Sequence, residues 1–235
     1  MSDFVRYESD GAIATVTIDD GKVNVLSPEV LSALDGALDR AEDDGVAVLL
    51  AGRPGVFSAG FHLPTLTGGG EPAVDMVLTG FRLAERLLSF PAPVVIACTG
   101  HALAMGAFLL LAGDARVGAL GAYRIGVNEV AIGLVMPDFG VEMARQRLTP
   151  PSFHRAVVNA EIFDPEAAVA AGFLDRAVPR DELMAAAHAT VAELAQHDRK
   201  VHTVTKRRAR ARALQAVRVA IEADEVALRA SLGRR

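Results

Sequence analysis

Glu129 is the only acid in the stretch Tyr123 to Leu134, YRIGVNEVAIGL, among small and aliphatic residues. An ionised carboxylate taken out of water without a partner is costly, so such a group either takes up a proton or has a chemical task. Two other stretches offer donors. In GVFSAGFHL, Ser58, Ala59 and Gly60 carry little or no side chain, so the backbone can turn sharply there and leave amides uncovered. In TGHALAMGAF, Met105 and Gly106 fall at the first turn of an expected helix. Amides at that position lack internal partners and sit at the positive end of the helix dipole. Converging on one point, the two sets would form an oxyanion hole.

Positioning these residues requires elements on either side of them. AIATVTID (Ala12 to Asp19) has strand character. Ser27 to Asp44 reads as a helix with Ser27 as N-cap and Pro28 at the first position; Val30, Leu31, Leu34 and Leu38 mark its apolar face. VAVLLAG is continuous and aliphatic, as a strand covered on both sides would be. LPTLTGGGEPA reads as a mobile loop ahead of a helix from about Val74 to Ser89. PVVIACTG gives another buried strand, MGAFLLLAGD a helix, and ARVGA and YRIGV two short strands. Beyond Asp138 nearly everything has helical spacing. The order predicts an α/β chain with a helical tail.

The chain has 235 residues and a formal net charge of -5, so nucleic acid and anionic membrane are not expected partners. The single cysteine, Cys98, reads as a core residue of a protein from a reducing cytoplasm. The N-terminus has no secretory or mitochondrial layout. PVVIACTGHALAMGAFLLLAG is long enough to span a bilayer, but Gly100 and His101 divide it into strand, turn and helix. The six histidines show no pair at ligand spacing, so no metal is expected.

FSAGFHL and PVVIACTGHALAMGAFLLLAGD resemble the two fingerprints of the crotonase, or enoyl-CoA hydratase/isomerase, superfamily, FSAGxDL and PVIAAVNGxALGGGxxLxxxxD. IGVNEVAIGLVMP and AEIFDPEAAVAAGFLDRAVP are similar to later family segments in the same order. The resemblance implies a crotonase-like spiral of β-β-α units with a helical C-terminal region, assembled as homotrimers or pairs of trimers. It also implies a core over 1–195 and a segment over 196–235 that packs the trimer and covers the active site. The expected ligand is an acyl-CoA thioester, coenzyme A entering as part of the substrate and not as a separate cofactor.

Carried over position by position, the oxyanion donors are the amides of Phe61 and Met105. They would hold the enolate oxygen formed when a proton leaves the carbon beside the thioester, each donor being worth about 10²- to 10³-fold in rate. The family's hydratases use two glutamates. Here Phe108 stands at the first position and Glu129 at the second, a pattern that resembles the single-base Δ3,Δ2-enoyl-CoA isomerases. An apolar pocket of Val127, Val130 and Phe108 would lift the glutamate from about 4.3 toward 6 or 7. The alternative for Glu129 is a structural carboxylate paired with Arg116, Arg124 or a backbone amide. Asp138 is a rival base, or the N-cap of the next helix.

His62 replaces the family's usual aspartate and faces a polar acyl group, a phosphate or solvent. Val23, Val25, Ser58, Ala59, Gly60, His62, Leu63, Gly106 and Phe108 are the expected substrate contacts. Lys22 and the Lys206 to Arg208 cluster are candidates for the 3'-phosphate. Hydratase-type lyase activity, a silent CoA-binding scaffold and an RNA-binding role for the basic run remain as alternatives.

Overall fold

The computed structural model describes residues 4–232, so the extreme ends of the two expected segments, 1–3 and 233–235, lie outside the described residues. The chain opens with β1 (Val5–Ser9) and β2 (Ile13–Ile18), an antiparallel pair. Asp10 closes the turn between them by accepting from the amides of Ala12 and Ile13. A β-β-α unit then repeats. Its first copy adds β3 (Val25–Leu26) and α1 (Pro28–Asp44) to β2; the second is β4 (Ala47–Gly52), β5 (Gly55–Ser58), β6 (Gly60–Phe61), α2 (Leu63–Gly68) and α3 (Gly70–Ser89). The third is β7 (Val94–Cys98), β8 (Gly100–Leu103) and α4 (Met105–Ala112), and the fourth β9 (Ala115–Ala119), β10 (Ile125–Gly126) and α5 (Asp138–Arg145). The chain continues through α6 (Pro150–Val157), α7 (Pro165–Ala171), β11 (Arg176–Val178), α8 (Leu183–Ala195), α9 (Arg199–Ala209) and α10 (Ala211–Leu232).

The first strands of the units form a six-stranded sheet, β1-β2-β4-β7-β9-β11, parallel from β2 onward. The second strands form a smaller parallel sheet, β10-β8-β5, and β3 pairs with β6. This is the spiral of β-β-α units that the resemblance implies. The inner strands β4 and β7 are buried on both faces, which is why they show no alternation, whereas β2 alternates. Val48, Leu50 and Ile96 join the main core with α1, α3 and α4, while Ala47, Leu49, Ala51, Val95 and Ala97 pack on Leu183, Ala187 and Val191 of α8.

Ser27 caps α1 as expected, its hydroxyl accepting from Val30 N at 3.3 Å. The expected mobile loop before Val74 is instead mostly helical. Gly69, at φ 66, turns the chain between α2 and α3, and Pro72 falls in the first turn of α3, where its missing N–H costs nothing. The tail also holds a strand, β11, which β9 recruits by backbone pairing that side-chain periodicity does not report. The long apolar segment divides into β7, β8 and α4, and no described helix is long and apolar enough to cross a membrane.

The tail folds back on its own chain. α10 lies along α3 and α5, with ion pairs Arg218–Glu85 and Arg82–Glu225, both 2.7 Å. Lys206 is not free for a phosphate, contrary to the sequence expectation. It is buried, with Nζ 2.7 Å from Asp114 Oδ2, and Arg210 also reaches Asp114, at 2.9 Å. Burial lowers the Lys206 pKa to about 8 against the opposing pull of Asp114. Arg207 and Arg208 of the same run are exposed.

Candidate active site

In the small sheet β8 lies between β5 and β10, and the registers place Ser58, Ala102 and Ile125 in one row. Because the three strands are parallel, the segments leaving their C-terminal ends emerge together: Gly60 and Phe61 after β5, Met105 after β8, Glu129 after β10. Strands about 4.8 Å apart bring these segments to within roughly 10 Å of one another.

The first loop is fixed from beneath. Ser58 is fully buried; its hydroxyl donates to Asn24 O at 2.7 Å and accepts from Gly60 N at 3.2 Å. The expected substrate contact at Ser58 is therefore corrected, since its side chain points into the fold and shapes the loop. Asn24, a residue that sequence reading passed over, donates from Nδ2 to Ile18 O, Val56 O and Phe57 O at 2.9, 3.2 and 3.1 Å. It ties the end of β2 to β5 while Asp20 accepts from the Lys22, Asn24 and Val25 amides. The DDGKVN turn was the available signal.

The two donor loops meet. A Cβ built on Gly60 would sit 3.0 Å from Ala104 Cβ and 3.3 Å from Met105 N, and one on Gly106 would sit 2.5 Å from Ser58 O. Only glycines permit that approach, and Gly60 also has φ +92. Ala104 adopts φ 49, ψ -125, a conformation costing an L-residue about 1–3 kcal/mol. That turn makes Met105 N–H the first amide of α4. Ala104 O is shared by Ala107 N and Phe108 N, and Met105 N–H has no acceptor among the described residues. On the other loop, His62 N donates to Leu26 O and Gly60 N to Ser58 Oγ. With donors alternating along a strand, Phe61 N–H faces the edge of β6 that carries no paired strand.

Glu129 is 8% exposed, and its Oε2 has no hydrogen-bond partner. Desolvation by burial pushes its carboxyl from the ordinary 4.5 up to about 7, with its own backbone amide pulling weakly the other way. Of the expected structural pairings, neither arginine forms an ion pair with Glu129 among the described residues, Arg116 engaging Asp175, and only the Glu129 backbone amide acts on the carboxyl. Val127 and Phe108 are buried as expected, but Val130 is 45% exposed. The turn over 130–132 carries Val130 outward, so it does not wall the carboxyl as the sequence suggested. The Phe108 ring packs edge-on against Phe139 at 5.5 Å, and no second carboxylate occupies its place.

Asp138 is exposed, and it is the first residue of α5 instead of its cap. Asp224 of α10 does the capping, accepting from Asp138 N at 3.1 Å and Phe139 N at 2.8 Å. The α10 register that delivers Asp224 is tertiary information. Of the remaining expected contacts, Val25 lies in β3 beside Gly60, Val23 is exposed, and Ala59 N donates to Val23 O. His62 Nδ1 shares a 2.9 Å hydrogen bond with Thr65 Oγ1, and Leu63 is exposed at the start of α2.

Two close-packed glycine loops and a buried carboxyl thus follow the C-terminal ends of neighbouring parallel strands in a β-β-α spiral. The chain belongs to the enoyl-CoA hydratase/isomerase family, whose profile matches residues 8–231. A Mycobacterium ulcerans structure described as an enoyl-CoA hydratase is 48% identical with a TM-score of 0.92, over 95% of this chain and 98% of that one. A Mycobacterium tuberculosis structure is 47% identical with a TM-score of 0.90, over 94% of this chain and 97% of that one; it is described as an enoyl-CoA isomerase. Another structure of the same M. tuberculosis protein is described as a probable enoyl-CoA hydratase. The carnitinyl-CoA dehydratase of Salmonella typhi is 30% identical over 83% of this chain and 74% of its own. The chain is thus a crotonase-family acyl-CoA enzyme, and the names of its relatives divide between reactions.

Proposed function

We propose that this protein is a Δ3,Δ2-enoyl-CoA isomerase with Glu129 as its single acid/base. The thioester oxygen sits between the amides of Phe61 and Met105. Glu129 takes the proton from C2, the electron pair spreads through C1 onto that oxygen and through C3 to C4, and the same carboxyl returns the proton at C4. The double bond moves from C3–C4 to C2–C3 with no atom gained or lost. The observation that carries this reading is a buried carboxyl raised to about 7 whose Oε2 has no hydrogen-bond partner, with Phe108 where hydration requires a second acid. A pKa near the working pH suits one group to both halves of the transfer. The resemblance also supports cytoplasmic location, a trimeric assembly and coenzyme A entering only with the substrate.

Hydratase and dehydratase names among the relatives favour a second, lyase reading. The assay is direct: purified protein is given 3-enoyl-CoA and 2-enoyl-CoA thioesters. Isomerisation that falls at least about 10³-fold in Glu129→Gln, with little hydration by the parent, is expected of a lost general base. Hydration faster than isomerisation in the parent would replace this reading with the lyase one.

A further inference from the structure

α3 runs for 20 residues and carries a glycine near its middle, Gly80. Glycine in a helix interior is less stable than alanine, because it has more chain freedom to lose and no side chain to pack. Gly80 is buried, and the notch it leaves in the helix surface is filled from two other elements. A Cβ built on Gly80 would stand 2.5 Å from Cε1 and 2.6 Å from Cζ of Phe61, and 3.6 Å from Cε of Met105. Phe61 and Met105 are the residues whose amides serve as oxyanion donors in the reading above. Their side chains, delivered by two separate loops, thus touch one position on a third element.

The Phe61 ring is backed on its core side. Phe81 stands beside it at 6.3 Å, tilted by 52°, and the Phe81 ring stacks on that of Phe139 at 4.1 Å. Both of those rings are buried. A methyl group at Gly80 therefore drives the Phe61 ring away from α3. The Phe61 backbone resists weakly, since β6 is two residues long and pairs along one edge, with β3. Met105 is held more firmly, being 1% exposed at the start of a helix whose residues are all buried. Filling the notch thus moves one donor with respect to the other.

We propose that Gly80 is a positioning residue: the notch on α3 seats the Phe61 ring beside the Met105 methyl and so sets the separation of the two donor amides. This deepens the acyl-CoA reading above and rests on it. Gly80 acts through these two side chains, at the expense of helix stability at its own position.

Gly80→Ala tests the proposal without changing charge or polarity. A misplacement of about 1 Å costs up to about 10²-fold in rate, so kcat should fall about 10- to 10²-fold with KM within about threefold, as for an interaction made in the transition state. Leucine lacks Cε1 and Cζ, so Phe61→Leu vacates the notch while the donor amide stays. In that background Gly80→Ala should cost less than about threefold. The hole itself is read apart from the reaction by the infrared C=O stretch of butanoyl-CoA, isotope-labelled at the thioester carbonyl, which cannot isomerise. Donors at the oxygen lower that frequency in the bound parent, and Gly80→Ala should remove about half of the lowering. Phe61→Leu alone, which empties the seat, should also reduce it, and serves as the check if Gly80→Ala does not fold. An equal lowering in the parent and in both variants, or a kcat loss from Gly80→Ala of the same factor with and without Phe61→Leu, would overturn the role of Gly80. No lowering in the parent would overturn the oxyanion hole and that role together. A lowering that responds to Gly80→Ala in a protein that does not isomerise 3-enoyl-CoA would refute the reaction and leave the positioning role standing.

Discussion

Glu129→Gln should stabilise the protein at neutral pH while abolishing isomerisation. The buried carboxyl is raised from 4.5 to about 7 by desolvation; at 1.36 kcal/mol per pH unit, its anion costs the fold about 3 kcal/mol relative to the acid. The folded protein holds this proton more tightly than the unfolded chain does. Its stabilising contribution is therefore complete below about pH 4.5, falls as pH rises toward 7, and is lost above that. Glutamine has the same shape, carries no charge and does not titrate. Urea unfolding of both proteins at a series of pH values from about 4 to 8 measures the difference, in which other titrating groups cancel. The variant should match the parent within about 1 kcal/mol at the acid end and exceed it by about 3 kcal/mol above pH 7. Isomerisation by the parent should fall about tenfold per pH unit below 7, as the base takes up its proton. Unfolding curves that run parallel across the whole range would show that Glu129 is solvated or paired, and the single-base mechanism would lose its foundation.

Gly60→Ala places a methyl group 3.0 Å from Ala104 Cβ at a φ of +92, so the two donor loops must separate. Isomerase kcat should drop about 10²-fold or more, with fold stability reduced by about 1–3 kcal/mol, as turnover and thermal unfolding will show. Asp138→Asn should leave kcat within about twofold, because the side chain is exposed and the helix end is capped by Asp224; a fall of the size expected for Glu129→Gln would move the base to Asp138. Asp114→Asn strands the buried charge of Lys206, whose side chain is 4% exposed, and that of Arg210. A loss of about 3–5 kcal/mol in denaturant unfolding is expected, with a smaller loss indicating that the two cations find water.

The local features were legible in the sequence because each rests on short-range chemistry. Ser27 and Pro28 mark a helix start by their own hydrogen-bonding and φ preferences, and the aliphatic runs of β4 and β7 mark strands with no solvent face. The glycine loops and the isolated Glu129 were visible as residue types at fixed spacing, and the resemblance supplied their grouping. Whether Glu129 has a partner was not legible, since Arg116 lies nearer in sequence to Asp114 and Glu129 and only the fold sends it to Asp175. The same holds for Asp224, which caps a helix 86 residues away, for Lys206, drawn inward by Asp114, and for Ser58, whose hydroxyl turns toward Asn24. Sequence alone determined the alternation of strands and helices, the glycine loops and the candidate carboxyl, because backbone preference and apolar patterning act over a few residues, while the β-β-α spiral came from the family resemblance. Tertiary structure decided which polar groups are left without partners and which side chains meet at Gly80, because desolvation and packing depend on what distant segments bring to the same place.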